Sequence, residues 1–148
     1  MTDVHFYHLT RSSLEQALPE VLEKVLARGW RAVVVAGSAE RVESLTQHLW
    51  TYRPDSFLPH GDARDGLPEH QPIWITPDDV RSNNAEVLIL TDGAASTHLD
   101  DYARVCEMFA GANDEALAEA RRRWRTYKEQ DHGLTYWRQE PKGWVQQT

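Results

Sequence analysis

Ala32-Val-Val-Val-Ala-Gly-Ser38 runs five small or branched apolar residues without interruption into a Gly-Ser turn. A strand with one wet face would alternate, so an unbroken run predicts a strand covered on both faces. Ser38 is a good helix cap, and Val42, Leu45 and Leu49 then share one side of a helix reaching Trp50. The same unit precedes it. Val4 to Leu9 is apolar enough for a first strand, and Leu14, Leu18, Val21, Leu22, Val25 and Leu26 repeat at helical spacing before Gly29 stops them. Val87 to Leu90 predicts a third strand and Ile73-Trp74-Ile75 a fourth, while Tyr102 to Phe109 reads as a further short amphipathic helix. Alternation of strand and helix argues for a three-layer α/β fold, with a mainly parallel central sheet and helices on both faces.

The 148 residues are enough for one domain, taken here as residues 1–148. Residues 53 to 77 hold five prolines and two glycines and read as a loop-rich excursion, and residues 138–148 are polar enough to read as a frayed tail. No apolar run approaches the roughly 20 residues that cross a bilayer, so no membrane association is expected. Cys106 is the single cysteine and an acid stands at Asp3, where an export signal would be basic. A cytoplasmic location is expected.

Charge narrows the function. Twenty-three acids against sixteen Lys and Arg give a net charge of -7, the wrong sign for a protein that coats a polyanion. Yet Arg121, Arg122, Arg123, Arg125 and Lys128 crowd into eight residues without an acid. They lie on a helix predicted from Asn113 to about Gln130, on which Leu117, Ala120, Trp124 and Tyr127 form the apolar arc. Arg121, Arg125 and Lys128 fall beside that arc, whereas Arg122 and Arg123 point elsewhere. A core stripe with a solvated basic border would look the same. The sharper reading is a pocket for an acidic peptide ending in an apolar residue, since Arg forks a carboxylate and an aromatic wall takes a side chain.

The string Ala120-Arg-Arg-Arg-Trp-Arg-Thr-Tyr-Lys128 resembles the signature helix of the chi subunit family of bacterial DNA polymerase III. The resemblance extends over nearly the whole chain through His5-Phe-Tyr-His-Leu9, Gly29-Trp-Arg-Ala-Val-Val-Val35, Leu49-Trp-Thr-Tyr-Arg-Pro-Asp-Ser-Phe-Leu-Pro-His60, Val87-Leu-Ile-Leu-Thr-Asp-Gly93 and Val105-Cys-Glu-Met-Phe109. It implies a nucleotide-binding-like fold that holds no nucleotide and no other cofactor, in a non-catalytic accessory subunit. The implied partners are the psi subunit of the clamp loader and the acidic C-terminal tail of single-stranded-DNA-binding protein, with DNA reached only indirectly. Carried over by position, Arg121, Trp124, Arg125 and Lys128 would line the tail pocket, with Phe57, Ala110 and Leu134 as apolar neighbours. Arg125 would take the terminal carboxylate. Psi would meet the Trp50 to Pro59 block.

Two other classes compete. An α/β enzyme or nucleotide binder is the first, but Val33-Val-Val-Ala-Gly-Ser38 has one glycine where a dinucleotide fingerprint needs three and a P-loop needs Gly-Lys-Ser/Thr. His60, Asp62, Asp65 and His70 lack the spacing of a metal site and read as a polar loop. His5 and His8 fall on opposite faces of their strand, and Asp92-Gly93 reads as a local Asx turn. The second is a direct binder of single-stranded nucleic acid using Trp124 and Tyr127 as stacking platforms. The net charge opposes it.

Overall fold

The structure is a computed structural model describing residues 2–51 and 59–147. Along the chain run β1 (Asp3–Leu9), α1 (Leu14–Ala27), β2 (Ala32–Val35), α2 (Ala39–Thr51), β3 (Ile73–Thr76), β4 (Val87–Leu90), β5 (Arg104–Ala110), α3 (Asp114–Glu129), β6 (Gly133–Glu140) and β7 (Gly143–Gln147). The strands make one seven-stranded sheet in the order β3-β2-β4-β5-β1-β6-β7. Every neighbouring pair is parallel except β6 with β7.

Local chemistry sets the helix ends. Ser13 caps α1 by accepting the backbone N–H of Gln16, whose side chain returns the bond to Ser13. After the helix, Gly29 takes φ of 77°, a left-handed turn that costs a residue without Cβ little. Leu18 and Leu22 of α1 and Leu45 and Leu49 of α2 cover one face of the sheet, against Val34, Ile75, Ile89 and Met108. On the other face Ala120 and Tyr127 of α3 meet Phe6, Val105 and Phe109, beside Leu99 and Tyr102 from the β4–β5 connection. Each face therefore has its own apolar layer, as a parallel sheet requires. Connections that step toward β3 run over the first face and those that step toward β7 run over the second, the arrangement that right-handed crossovers impose.

Two expectations are corrected. Tyr102 to Phe109 is not helical: Arg104–Ala110 is the central strand β5. Cys106 and Met108 face α1 and α2 while Val105 and Phe109 face α3, so residues from 105 to 109 are all buried and the stretch shows no alternation. The tail from residue 138 is not frayed as far as it is described, because it completes β6 and forms β7. Trp144 lies edge-on to Tyr7 at 5.1 Å between ring centroids. The Gln139 side chain receives the backbone N–H groups of Arg11 and Ser12. Among the described residues no helix is long and apolar enough to cross a membrane.

Candidate functional site

The basic helix α3 starts where Asn113 accepts the N–H of Ala116, with Asp114 and Glu115 in the first turn to complement the helix dipole. Its cations then divide. Arg123 turns inward, where its Nε donates to Glu107 Oε2 at 2.7 Å, and the Tyr127 hydroxyl donates to the same oxygen at 2.7 Å. Glu107 is 2% exposed in the middle of β5. Burial pushes its carboxyl upward, and the guanidinium and phenol pull it back. Arg123 is thus tied to β5 and turned away from the arc that carries Arg121 and Arg125.

Arg121, Trp124 and Arg125 come together on the flank of α3 that faces β6. With Phe109, Leu117, Ala120 and Tyr136 they line a pocket of about 350 Å³. The Trp124 ring stands edge-on to Phe6 at 5.3 Å and to Tyr136 at 6.0 Å. Phe109 meets Tyr136 edge-on at 6.2 Å. These contacts hold the aromatic walls in place. The result is an apolar socket with two guanidiniums at its rim, suited to a bulky apolar side chain beside a carboxylate.

The other expected residues are placed differently. Lys128 is exposed one turn farther along α3. Leu134 packs into the same apolar layer, from β6, without lining the pocket. Ala110 opens instead onto a separate crevice at the end of β5, and Phe57 lies outside the described residues. Trp50, 50% exposed, stands at the far end of α2 with its ring 4.5 Å from that of His60, and Pro59 is half-buried next in sequence to that histidine. Phe109 and Tyr136 were missed. Reading residues 102–109 as a strand would have exposed Phe109, whereas Tyr136 sits in a segment with no motif.

The crevice that takes Ala110 has about 510 Å³ and opens at the carboxyl ends of β1, β4 and β5. Connections diverge to opposite faces there, which is where open α/β sheets bind ligands. Its charged lining is Glu15, Asp92, Glu115 and Glu119 against Arg41 and Arg123. Arg41 bonds to Glu15 and reaches Asp92 Oδ2 at 3.1 Å, so a cation from α2 ties α1 to the end of β4. Asp92 also accepts the Gly37 N–H, at 3.2 Å. Its carboxylate joins two strand ends rather than closing the local Asx turn expected for it. Four carboxylates in the lining disfavour a phosphate.

Among the loop residues considered as metal ligands, His60 Nε2 lies 3.2 Å from the Thr46 carbonyl. Asp62 accepts from the Arg64 N–H and Asp65 from the Asp62 N–H. His5 and His8 do lie on opposite faces: Trp137 Nε1 donates to the first, and the second meets the Tyr136 hydroxyl.

Fold and site together define a doubly wound α/β protein whose ligand-type crevice is crossed by its own ion pairs, and whose open apolar pocket is rimmed by arginine. The family described as DNA polymerase III chi subunit, HolC, matches residues 1–135. A "Probable DNA polymerase III subunit chi" of Rickettsia prowazekii (strain Madrid E) is 32% identical over 108 residues, covering 71% of this chain and 66% of that relative. The chain belongs to the DNA polymerase III chi subunit family.

Proposed function

We propose that the chain is a non-catalytic adaptor that joins the clamp loader, through psi, to single-stranded-DNA-binding protein by holding that protein's acidic C-terminal tail. The observation that carries this reading is the pocket of Phe109, Leu117, Trp124 and Tyr136 with Arg121 and Arg125 at its rim. A terminal apolar side chain fills the socket, and Arg125 forks the terminal carboxylate. Lys128 adds positive charge one turn away. Psi docks at the end of α2, around the exposed Trp50 and the half-buried Pro59. Leu45 and Leu49 set α2 on the sheet face opposite α3, which supports separate surfaces for the two partners. DNA is engaged through the coating protein.

Calorimetric titration with the C-terminal peptide of single-stranded-DNA-binding protein tests this, run in parallel with the same peptide as its C-terminal amide. The free acid binds and the amide binds much more weakly. Equal affinity for the two removes the carboxylate clamp. An oligonucleotide added alone does not bind, and saturable binding of it would favour a direct nucleic-acid function instead.

A further inference from the structure

The rim of the pocket continues beyond α3 onto the sheet. Tyr136 and Arg138 are two residues apart on β6 and so share a face, and Arg138 is in register with His8 of the neighbouring β1. His8 stacks on Phe109 with ring centroids 5.1 Å apart, and its Nδ1 is 2.7 Å from the Tyr136 hydroxyl. Gly111 permits this, because a Cβ there would overlap the imidazole. Arg121 approaches the same place from α3. Both guanidiniums are felt there, since burial, then Arg138, then Arg121 hold the His8 imidazole below its ordinary range. Arg138 is half exposed and its only close carboxylate among the described ion pairs is Glu140, at 3.8 Å. A contact that long leaves the guanidinium available for exchange.

We propose that Arg121, which lines the pocket with Tyr136, and Arg138, in register with His8, form a second carboxylate subsite that takes an acidic side chain upstream of the peptide's C-terminal residue. This rests on the tail-pocket reading and adds the strand-borne half of the site. Arg121 lies one turn from Arg125 toward the start of α3. The peptide therefore leaves its terminal carboxylate at Arg125, crosses Arg121 and meets Arg138.

The test uses the full chain and two synthetic peptides with free C-termini, one acidic and one with each Asp replaced by Asn. Arg138→Ala weakens the acidic peptide by about three- to fivefold, the scale of a partly exposed ion pair, and leaves the Asn peptide unchanged. Arg125→Ala weakens both. A melting curve confirms that each variant is folded, and Arg138→Gln, which keeps most of the stem, must reproduce the selectivity of Arg138→Ala. Equal effects of Arg138→Ala on the two peptides, or none on either, overturn the subsite and leave the pocket standing. A wild-type chain that binds neither peptide removes the pocket and the subsite together.

Discussion

Glu107, Arg123 and Tyr127 form a charged, hydrogen-bonded triple inside an apolar layer, and such a group stabilises only while it is complete. Glu107→Gln removes the negative charge and leaves Arg123 partly buried without its main partner. A loss of about 3 kcal/mol in denaturant unfolding is expected, the typical consequence of breaking a buried pair from one side. Tail affinity should change little, because Glu107 does not line the pocket. Two residues beyond Arg123 on α3 the expectation reverses. Arg125→Ala leaves the melting curve nearly unchanged but removes the carboxylate partner, which costs about 2 kcal/mol or more and at least about 25-fold in affinity. A titration and a melting curve for each variant separate the two cases, and a normal tail affinity for folded Arg125→Ala would overturn the clamp. Neighbouring arginines thus do different work because 100° per residue points them at different surroundings.

At the scale of elements, α3 combines two demands in one stripe. Trp124 packs on Phe6 while walling the pocket, so Trp124→Ala should lower fold stability by about 3 kcal/mol and also weaken the peptide. Loss of affinity with unchanged stability would show that the indole contributes nothing to the layer beneath. α3 and the strands β1 to β4 were legible in the sequence because each shows a single clear pattern: an apolar arc, or a short run rich in branched and aromatic residues. β5 was not. Val105 to Phe109 is buried on both faces and so shows no polar alternation, and its apolar residues around Glu107 satisfy helical spacing equally well. β6 and β7 were hidden for the opposite reason, since a hairpin at the sheet edge needs little apolar content and the strand that joins it to the sheet, β1, lies far away in sequence. The half of the site contributed by Tyr136 and Arg138 was hidden with them. Arg121, Trp124 and Arg125 were legible because one helix carries all three.

Over the whole molecule, the two partly buried histidines of β1 make the fold sensitive to acid. Burial first, and then Arg104, lower the His5 pKa from 6.5 to about 4, against a smaller opposing pull from Asp3. The unfolded chain takes up a proton as pH falls through 6.5, while the folded chain resists until about 4, so stability declines across that window. His8 acts in the same direction. His5→Asn keeps an acceptor for Trp137 Nε1 and removes the titration; its melting temperature should fall less between pH 7 and pH 5 than that of the wild type. An identical fall in both would exclude His5 as a source of the acid sensitivity. The placement of the tryptophans has an optical consequence. Of the six, Trp124 walls the α3 pocket and Trp50 stands half exposed at the end of α2, on the opposite layer. Indole emission shifts to the blue as water leaves its surroundings, so each surface carries its own fluorophore. Occupation of either can be read in the unlabelled protein as the difference in emission between the wild type and a Trp124→Phe or Trp50→Phe chain, a subtraction that cancels the indoles common to both chains.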